Sequence, residues 1–116
     1  MVVRRIVTNI AADTISDAHS FYGELLGLDV SMDLGWIITF GSGGTAPGQI
    51  SVASEGGSGT RVPDISIEVD DADVIYRRAK LAGFEIEYEL TDEPWGVRRF
   101  YVRDPFNKLL NVLSHR

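Results

Sequence analysis

Apolar and polar residues alternate along this chain with two different periods, which predict strands and helices. Residues 3–11, "VRRIVTNIA", are rich in β-branched side chains and predict a strand. A helix follows, because apolar side chains recur on one helical face at Ile15, Ala18, Tyr22, Leu25 and Leu26. Thr14 is its predicted N-cap with Asp17 in the capping-box position, and Gly27 is its predicted terminator.

Short alternating segments then predict three strands, separated by turns. Their sequences are "LDVSM" (28–32), "WIITFG" (36–41) and "QISVAS" (49–54), and the turns between them are "DLG" and "SGGTAPG". Residues 55–61, "EGGSGTR", have the composition of a linker.

The order of elements repeats after residue 61. The strand "PDISIEV" (63–69) precedes a helix over 70–83, capped by Asp70 or Asp71 and ended by Gly83. Its apolar face contains Ile75, Ala79 and Ala82. Three strands follow, with the sequences "FEIEYEL", "GVRRFYV" and "KLLNVLS".

This repeated order predicts an α+β fold. We expect one domain over residues 1–116, with a βαβββ module over 1–54, the linker over 55–61 and a second βαβββ module over 62–116. The two modules would form a curved, mixed eight-stranded sheet with helices on the outer face. The concave inner face is a natural small-molecule site.

Composition argues against a few classes of function and leaves most open. No apolar run is long enough for a membrane span, and the N-terminus lacks the apolar core of a signal peptide, so we expect a cytoplasmic protein. The absence of cysteine excludes thiolate nucleophiles and thiolate metal ligands. A net charge of −6 argues against nucleic-acid binding, and it serves either solubility or attraction of a cationic ligand.

Two motifs resemble those of a known family. "SFYGELLGL" after the first strand and "PWGVRRFYVRDPFNKLLNV" near the end are similar to the vicinal oxygen chelate superfamily of glyoxalases, extradiol dioxygenases and bleomycin-resistance proteins. The resemblance covers essentially the whole chain. It implies the paired βαβββ fold and, in the enzymes, a divalent metal held by His, Glu or Gln at four strand positions of the inner face.

Transfer of those metal positions by their spacing gives Val7, Asp64 and Asn111, and the match of "ISVAS" with "LNVLS" between the two halves gives Ser51. Valine cannot bind a metal, Ser and Asn are weak neutral ligands, and one carboxylate is left. The two histidines lie elsewhere, at His19 and His115. We therefore expect no cofactor and no metal.

Asn111 occupies a position that strand alternation turns inward, together with Leu109 and Leu113. A buried amide needs hydrogen-bond partners. We expect either that Ser51, Asp64 or a water satisfies it, or that it contacts a ligand.

Aromatic and basic residues complete the candidate ligand-binding set. Trp36 and Trp95 are either core residues or stacking walls, and Phe40 shares the strand face of Trp36. Arg98 matches the arginine of the family motif and shares a face with Phe100; we favour an ion pair with Asp104, Glu85 or Glu87. Arg99 and Arg103 are expected to face solvent.

Without the metal ligands, the chain most resembles the bleomycin-resistance type of this superfamily. That resemblance implies a metal-independent small-molecule binding protein that sequesters an antibiotic or related natural product, and the negative net charge adds the hypothesis of a cationic ligand. One alternative is an enzyme in which Asp64 acts as a general acid or base after burial raises its pKa. Others are a metal-dependent lyase, isomerase or dioxygenase with misplaced ligands, and a regulatory binding module. The resemblance also implies a homodimer, with the 55–61 linker suited to an exchange of modules.

Overall fold

The computed structural model describes residues 2–43 and 47–116. Its eight strands are β1 (Val3–Ala11), β2 (Asp29–Asp33), β3 (Ile37–Gly41), β4 (Gln49–Ala53), β5 (Ile65–Val69), β6 (Ile86–Asp92), β7 (Val97–Arg103) and β8 (Leu109–His115). A helical segment lies between β1 and β2, and helix α1 (Ala72–Ala82) lies between β5 and β6. The predicted α+β class is confirmed. The centre of the predicted "SGGTAPG" turn, residues 44–46, lies outside the described residues.

The chain divides into two compact units. One unit is Val7–Val62, and the other contains Pro63–Arg116 together with the segment ending at Ile6. The predicted modules, 1–54 and 62–116, divide the chain at nearly the same place. The difference is at β1, whose first residues are grouped with the later unit.

In the Val7–Val62 unit the strand order is β2, β3, β4, β1. The pairs β2–β3 and β3–β4 are antiparallel, and β4 pairs with β1 in parallel. One face of this sheet buries Ile38, Phe40 and Val52 against Ala18 of the helical segment. These apolar contacts form the core of the unit.

The helical segment of this unit differs from the predicted α-helix. It consists of a 3₁₀ turn, Ile15–Asp17, followed by a π-helix, His19–Leu25, and the Thr14 side chain makes no capping hydrogen bond. The Leu26 N–H bonds to the carbonyl of Phe21, five residues back. The wider π turn rotates later residues away from the predicted stripe, which explains why Leu25 and Leu26 are 67% and 54% exposed.

The predicted linker is a compact loop. The Gly56 N–H donates to the Thr60 carbonyl at 2.7 Å, and the Gly59 N–H donates to the Glu55 carboxylate at 3.1 Å. Three consecutive residues, Gly57 to Gly59, have positive φ values of 88°, 54° and 74°. Two of the three, Gly57 and Gly59, are glycines, which adopt this conformation without a steric penalty, so the sequence that suggested a linker supports a tight turn instead.

In the unit that contains Pro63–Arg116, the strand order is β5, β8, β7, β6. Strand β5 pairs with β8 in parallel, and the other two pairs are antiparallel. Helix α1 begins at Asp71, whose carboxylate accepts the Asp73 N–H, and it ends at Gly83 with φ 82°. Of the two predicted caps, Asp71 is therefore the one used, and Asp70 accepts the Val2 N–H instead.

Helix α1 covers one face of this sheet. Its buried residues, Ala72 and Ala79, pack with Phe100, Val102 and Val112. Strand alternation turns the intervening residues to the opposite face. Leu109, Asn111 and Leu113 are buried there, with 2%, 8% and 6% of their surface exposed, which confirms the predicted inward orientation.

The turn between β7 and β8 is fixed by its aspartate. The Asp104 carboxylate accepts the N–H groups of Phe106 and Lys108, each at 2.8 Å. Asn107 has a φ of 63°, a left-handed conformation that asparagine tolerates better than most residues. Among the described residues, no helix has the length and apolar composition to cross a membrane.

Candidate functional site

The sheet face opposite α1, in the unit that contains Pro63–Arg116, presents a set of polar and aromatic side chains. We call it the Asn111 face, and define it by Ser66 on β5, Asn111 on β8, and Arg99 and Tyr101 on β7. The register places Ser66 on one side of Asn111 and Tyr101 on the other. Leu109 and Leu113 flank Asn111 along its own strand.

The Asn111 amide is only half satisfied. Its Nδ2 donates to Ser66 Oγ at 3.0 Å, whereas its buried Oδ1 accepts no hydrogen bond within the described part of the chain. If the amide were turned over, Ser66 would satisfy the oxygen and leave the nitrogen without a partner. An unsatisfied buried polar atom costs about 1–3 kcal/mol, so this group is suited to an external donor such as a ligand or a water.

Of the predicted partners of Asn111, the two residues Ser51 and Asp64 were wrong, because the residue that bonds to its amide is Ser66; a water or a ligand at Oδ1 stays a prediction. Asp64 lies just before β5, and its side chain is exposed. Its carboxylate accepts the Leu109 N–H at 2.8 Å, while its own N–H donates to the Leu109 carbonyl at 2.8 Å. The β5–β8 register places Ser66, two residues after Asp64, beside Asn111.

Two further candidates, Val7 and Ser51, belong to the Val7–Val62 unit. Val7 is 4% exposed and Ser51 is 3% exposed. The Ser51 hydroxyl lies 2.7 Å from the equally buried Thr39 hydroxyl, and the residue across from it on β1 is Asn9. Ser51 is therefore hydrogen-bonded within its own sheet.

A buried ion pair lies next to Tyr101 on the Asn111 face. Arg99 and Glu93 each have 3% side-chain exposure, and Arg99 Nη2 lies 2.7 Å from Glu93 Oε2. Arg99 Nε also donates to Oε2 at 2.7 Å. The expectation that Arg99 faces solvent was wrong, because alternation gives Arg99 the same buried face as Asn111.

Three aromatic rings surround the Arg99 guanidinium. Its central carbon is 4.9 Å from the Trp95 ring, 5.0 Å from Tyr101 and 5.3 Å from Tyr88. Arg99 Nη1 donates to the Tyr101 hydroxyl at 3.0 Å, and the Tyr88 hydroxyl donates to Glu93 at 3.1 Å. Cation–π attraction and hydrogen bonds thus fix the rings beside the amide of Asn111.

Arg103 is also less exposed than predicted. Its side chain is 15% exposed, its Nε donates to Glu87 at 2.8 Å, and its Nη1 donates to the Asn107 carbonyl. The ion pair with Glu87 raises the pKa of Arg103.

Arg98 lies on the face of β7 opposite to Arg99. It forms an ion pair, as predicted, but its partners differ from the predicted ones. It donates to Asp73 at 2.7 Å and to Asp92 at 3.0 Å, and not to Asp104, Glu85 or Glu87. These hydrogen bonds from the guanidinium lower the pKa of both Asp73 and Asp92. Arg98 therefore ties α1 to the strands and is absent from the Asn111 face.

The remaining aromatic candidates lie in three environments. Phe40 and Phe100 are both 0% exposed; Phe40 packs near Tyr22 and Phe100 packs against Tyr76 of α1. Neither presents surface to a ligand in this structure. Trp36 is half-buried, and Trp95 is half-buried beside Arg99.

Sequence reasoning missed Ser66, Tyr88, Arg99 and Tyr101 as residues of this face. Alternation along β7 was a usable signal for Arg99 and Tyr101, since both share the parity that faces Asn111. Ser66 required the β5–β8 register, which the sequence does not give.

Comparison with known proteins identifies the family. The family model described as the glyoxalase/bleomycin resistance protein/dioxygenase superfamily matches residues 5–112. The chain belongs to this superfamily. No curated protein sequence matches it significantly.

Solved structures share the fold of this superfamily member at low identity. A glyoxalase/bleomycin resistance protein/dioxygenase superfamily member from Vibrio splendidus 12B01 has 17% identity and a TM-score of 0.67, over 99% of this chain and 100% of that one. Methylmalonyl-CoA epimerase from Mycobacterium tuberculosis has 16% identity and a TM-score of 0.64, over 98% and 87%. A Legionella pneumophila structure described as an NAD-dependent benzaldehyde dehydrogenase has 15% identity and a TM-score of 0.75, over 96% and 99%.

The side chains at the four positions transferred from the superfamily's metal site do not fit a divalent metal. Val7 has no donor atom, the Ser51 hydroxyl is bonded to Thr39, the Asp64 carboxylate is bonded to a backbone N–H, and Asn111 offers one neutral amide oxygen. Over residues 2–43 and 47–116, no three His, Cys, Asp or Glu side chains are grouped as a metal site would need. The histidines are engaged elsewhere: His19 packs edge-on to Phe40, and His115 lies 3.0 Å from Glu68.

Proposed function

We propose that this superfamily member is a metal-independent small-molecule binding protein, and that its ligand is a natural product of the antibiotic type. The observation that supports the proposal most directly is the buried Asn111 Oδ1, which accepts no hydrogen bond from the described residues. A carbonyl oxygen in this position selects a ligand that offers an N–H or O–H group.

The surroundings of this oxygen suit a molecule with an apolar or planar body. Leu109 and Leu113 lie on either side along β8, and the Tyr101 ring is on the neighbouring strand. These residues are 2%, 6% and 2% exposed, so a ligand reaches them only when this face opens. Binding sites of this kind combine mostly apolar walls with a few polar groups that fix orientation. Because Arg99 and Glu93 hold Tyr101 in place, this wall needs little further ordering on binding.

A cationic ligand is favoured over an anionic one. The net charge of the chain is −6, which attracts cations at long range. Peptide-like antibiotics with amide and amine donors match both the charge of the protein and the acceptor at Asn111.

The enzymatic alternative receives less support. The hypothesis of a general acid or base required Asp64 to be buried, but Asp64 is exposed and its carboxylate is hydrogen-bonded to the Leu109 N–H. The likeness to an epimerase is a likeness of fold, at 16% identity.

The proposal is tested by elemental analysis of the purified protein, followed by titration with a panel of cationic glycopeptide antibiotics while tryptophan fluorescence is recorded. We expect less than stoichiometric metal and saturable quenching by at least one compound, because Trp95 lies beside the Asn111 face. Light scattering on the same sample checks the expected homodimer.

Two variants locate the binding event. Asn111→Leu removes the acceptor and should weaken binding by about tenfold or more, since a charge-assisted hydrogen bond contributes about 1.5–3 kcal/mol. Asn107→Gly is the matched control in the exposed turn, and it should leave affinity unchanged. Stoichiometric zinc, iron, nickel or manganese would contradict the metal-independent proposal, and equal affinities for both variants would place the ligand elsewhere.

A further inference from the structure

A pocket lies beneath α1, on the side of its sheet opposite to the Asn111 face. It has a volume of about 420 Å³ and lies wholly within the unit that contains Pro63–Arg116. Its walls are almost entirely apolar and include Ala79, Ala82, Phe84, Leu110 and Val112. This volume is within the range of about 300–1,000 Å³ that small-molecule sites occupy.

The pocket exists because the inner face of α1 has small side chains. Alanine occupies positions 79 and 82, whereas Phe84, which follows the helix, remains 48% exposed. Leu26 is the counterpart of Ala82 in the first repeat, because each precedes the glycine that ends its helix. A leucine at position 82 would add about three carbon atoms on the pocket side of α1.

Two of the three charged side chains at the rim of the pocket have partners, and one has no carboxylate partner among the described residues. Arg103 is paired with Glu87, and the Asp104 carboxylate accepts two backbone N–H groups. Arg78 is exposed at the same rim, and it pairs with no carboxylate among the described residues. The pocket therefore combines an apolar interior with one uncommitted guanidinium at its mouth.

We propose that this pocket is a second ligand site, and that it binds a small amphipathic anion such as a medium-chain carboxylate. The apolar chain would lie against Phe84, Leu110 and Val112, where its burial is favourable. The carboxylate would remain at the mouth, within reach of Arg78, whose planar guanidinium suits a carboxylate. This site is independent of Asn111, because the sheet separates the two.

The test compares three probes that share a ten-carbon chain and differ in the head group: decanoate, decanol and decyltrimethylammonium. Each is titrated below its micelle concentration into the ¹⁵N-labelled chain of residues 1–116, and amide shifts are followed by NMR. We expect decanoate to bind with a Kd below about 1 mM and at least about tenfold more tightly than decyltrimethylammonium, with decanol between them. The shifts should be centred on Ala79, Ala82, Phe84 and Leu110.

Two adjacent arginines provide a matched pair of variants. Arg78→Glu should weaken decanoate binding about tenfold, whereas Arg77→Glu, exposed on the same helix but outside the pocket, should change it less than about twofold. Ala82→Leu should abolish binding by filling the pocket. If that variant does not fold, Arg78→Glu still decides the matter, because it alters only an exposed side chain.

Four outcomes would overturn the proposal. Three concern the titrations: a Kd for decanoate above about 1 mM, equal affinities for the three probes, and equal effects of the two arginine variants. The fourth is a second copy of the chain that already covers the pocket without any probe, which would be detected as concentration-dependent shifts at Ala79 and Phe84.

Discussion

At the scale of single residues, the Asn111 face contains two buried polar side chains that differ in how completely they are hydrogen-bonded. Arg99 is satisfied by Glu93 and Tyr101 and lies against three rings. Asn111 has one partner and one unpartnered atom. Since buried polar groups are normally hydrogen-bonded, the first arrangement stabilises the fold, whereas the second leaves an acceptor that the described residues do not use.

The pair of Glu93 and Arg99 gives a prediction for stability. Glu93→Gln should lower the free energy of unfolding by about 3–5 kcal/mol, because it leaves a buried guanidinium without a counter-charge. The double variant Glu93→Gln with Arg99→Met should be less destabilised than Glu93→Gln alone. Urea unfolding measures both, with the more exposed pair of Arg103 and Glu87 as a control whose removal should cost less than about 1 kcal/mol.

Arg98 gives a prediction for pH dependence. Its hydrogen bonds lower the pKa of Asp73 and Asp92 in the folded chain, so their stabilisation is fully present above the ordinary aspartate pKa of 3.8. It is lost as the pH falls through the lowered values.

We therefore expect Arg98→Met to destabilise the protein at pH 7 and to have a smaller effect as the pH is lowered towards 2, because protonation of the two carboxylates removes their interaction with Arg98. Urea midpoints at the two pH values measure the difference. An effect of Arg98→Met that is the same at both values would show that Arg98 stabilises through packing alone.

At the scale of elements, the two helices of the repeat differ for local reasons. Helix α1 has a working N-cap at Asp71 and a left-handed Gly83 at its end. The first helical segment has no side-chain cap hydrogen bond and contains Gly23 in its π-helix. Its apolar stripe matched an α-helix, but only Ile15, Ala18 and Tyr22 of that stripe belong to the core cluster around Phe40, while Leu25 and Leu26 are exposed.

The cap of α1 is testable. Asp71→Ala should lower the free energy of unfolding by about 1 kcal/mol, because the Asp73 N–H loses its acceptor. Asp71→Asn should retain most of the stability, since the amide oxygen can accept the same bond. Equal losses for both variants, measured by thermal unfolding, would show that the charge of Asp71 matters more than its hydrogen bond.

At the scale of the whole molecule, the unit that contains Pro63–Arg116 is incomplete without the start of the chain. Val2 donates its N–H to the Asp70 carboxylate, and Arg5 forms an ion pair with Glu68 at 3.1 Å. A sheet of four strands with one helix has a small hydrophobic core, so the loss of a few contacts lowers its stability strongly.

A fragment of residues 62–116 should therefore be unfolded by itself, with poor dispersion in its amide NMR spectrum. Addition of the complementary fragment 1–61 should restore the dispersed spectrum, because it supplies Val2 and Arg5. A stably folded 62–116 fragment would show that the contacts of Val2 and Arg5 are dispensable.

The sequence by itself determined the order of the elements, the family and the inward orientation of Asn111. Each of these follows from local information: side-chain periodicity, turn residues, and the "SFYGELLGL" and "PWGVRRFYVRDPFNKLLNV" motifs. Strand alternation is fixed by backbone geometry, so parity along β8 was enough for Asn111.

Only the tertiary structure decided which side chains meet. Ser66 rather than Asp64 bonds to Asn111 because the register of the parallel pair β5–β8 depends on chain segments more than 40 residues apart. The same dependence explains the partners of Arg98, the burial of Arg99 and the pocket beneath α1. Periodicity assigns a residue to a face, but long-range packing determines its neighbours on that face.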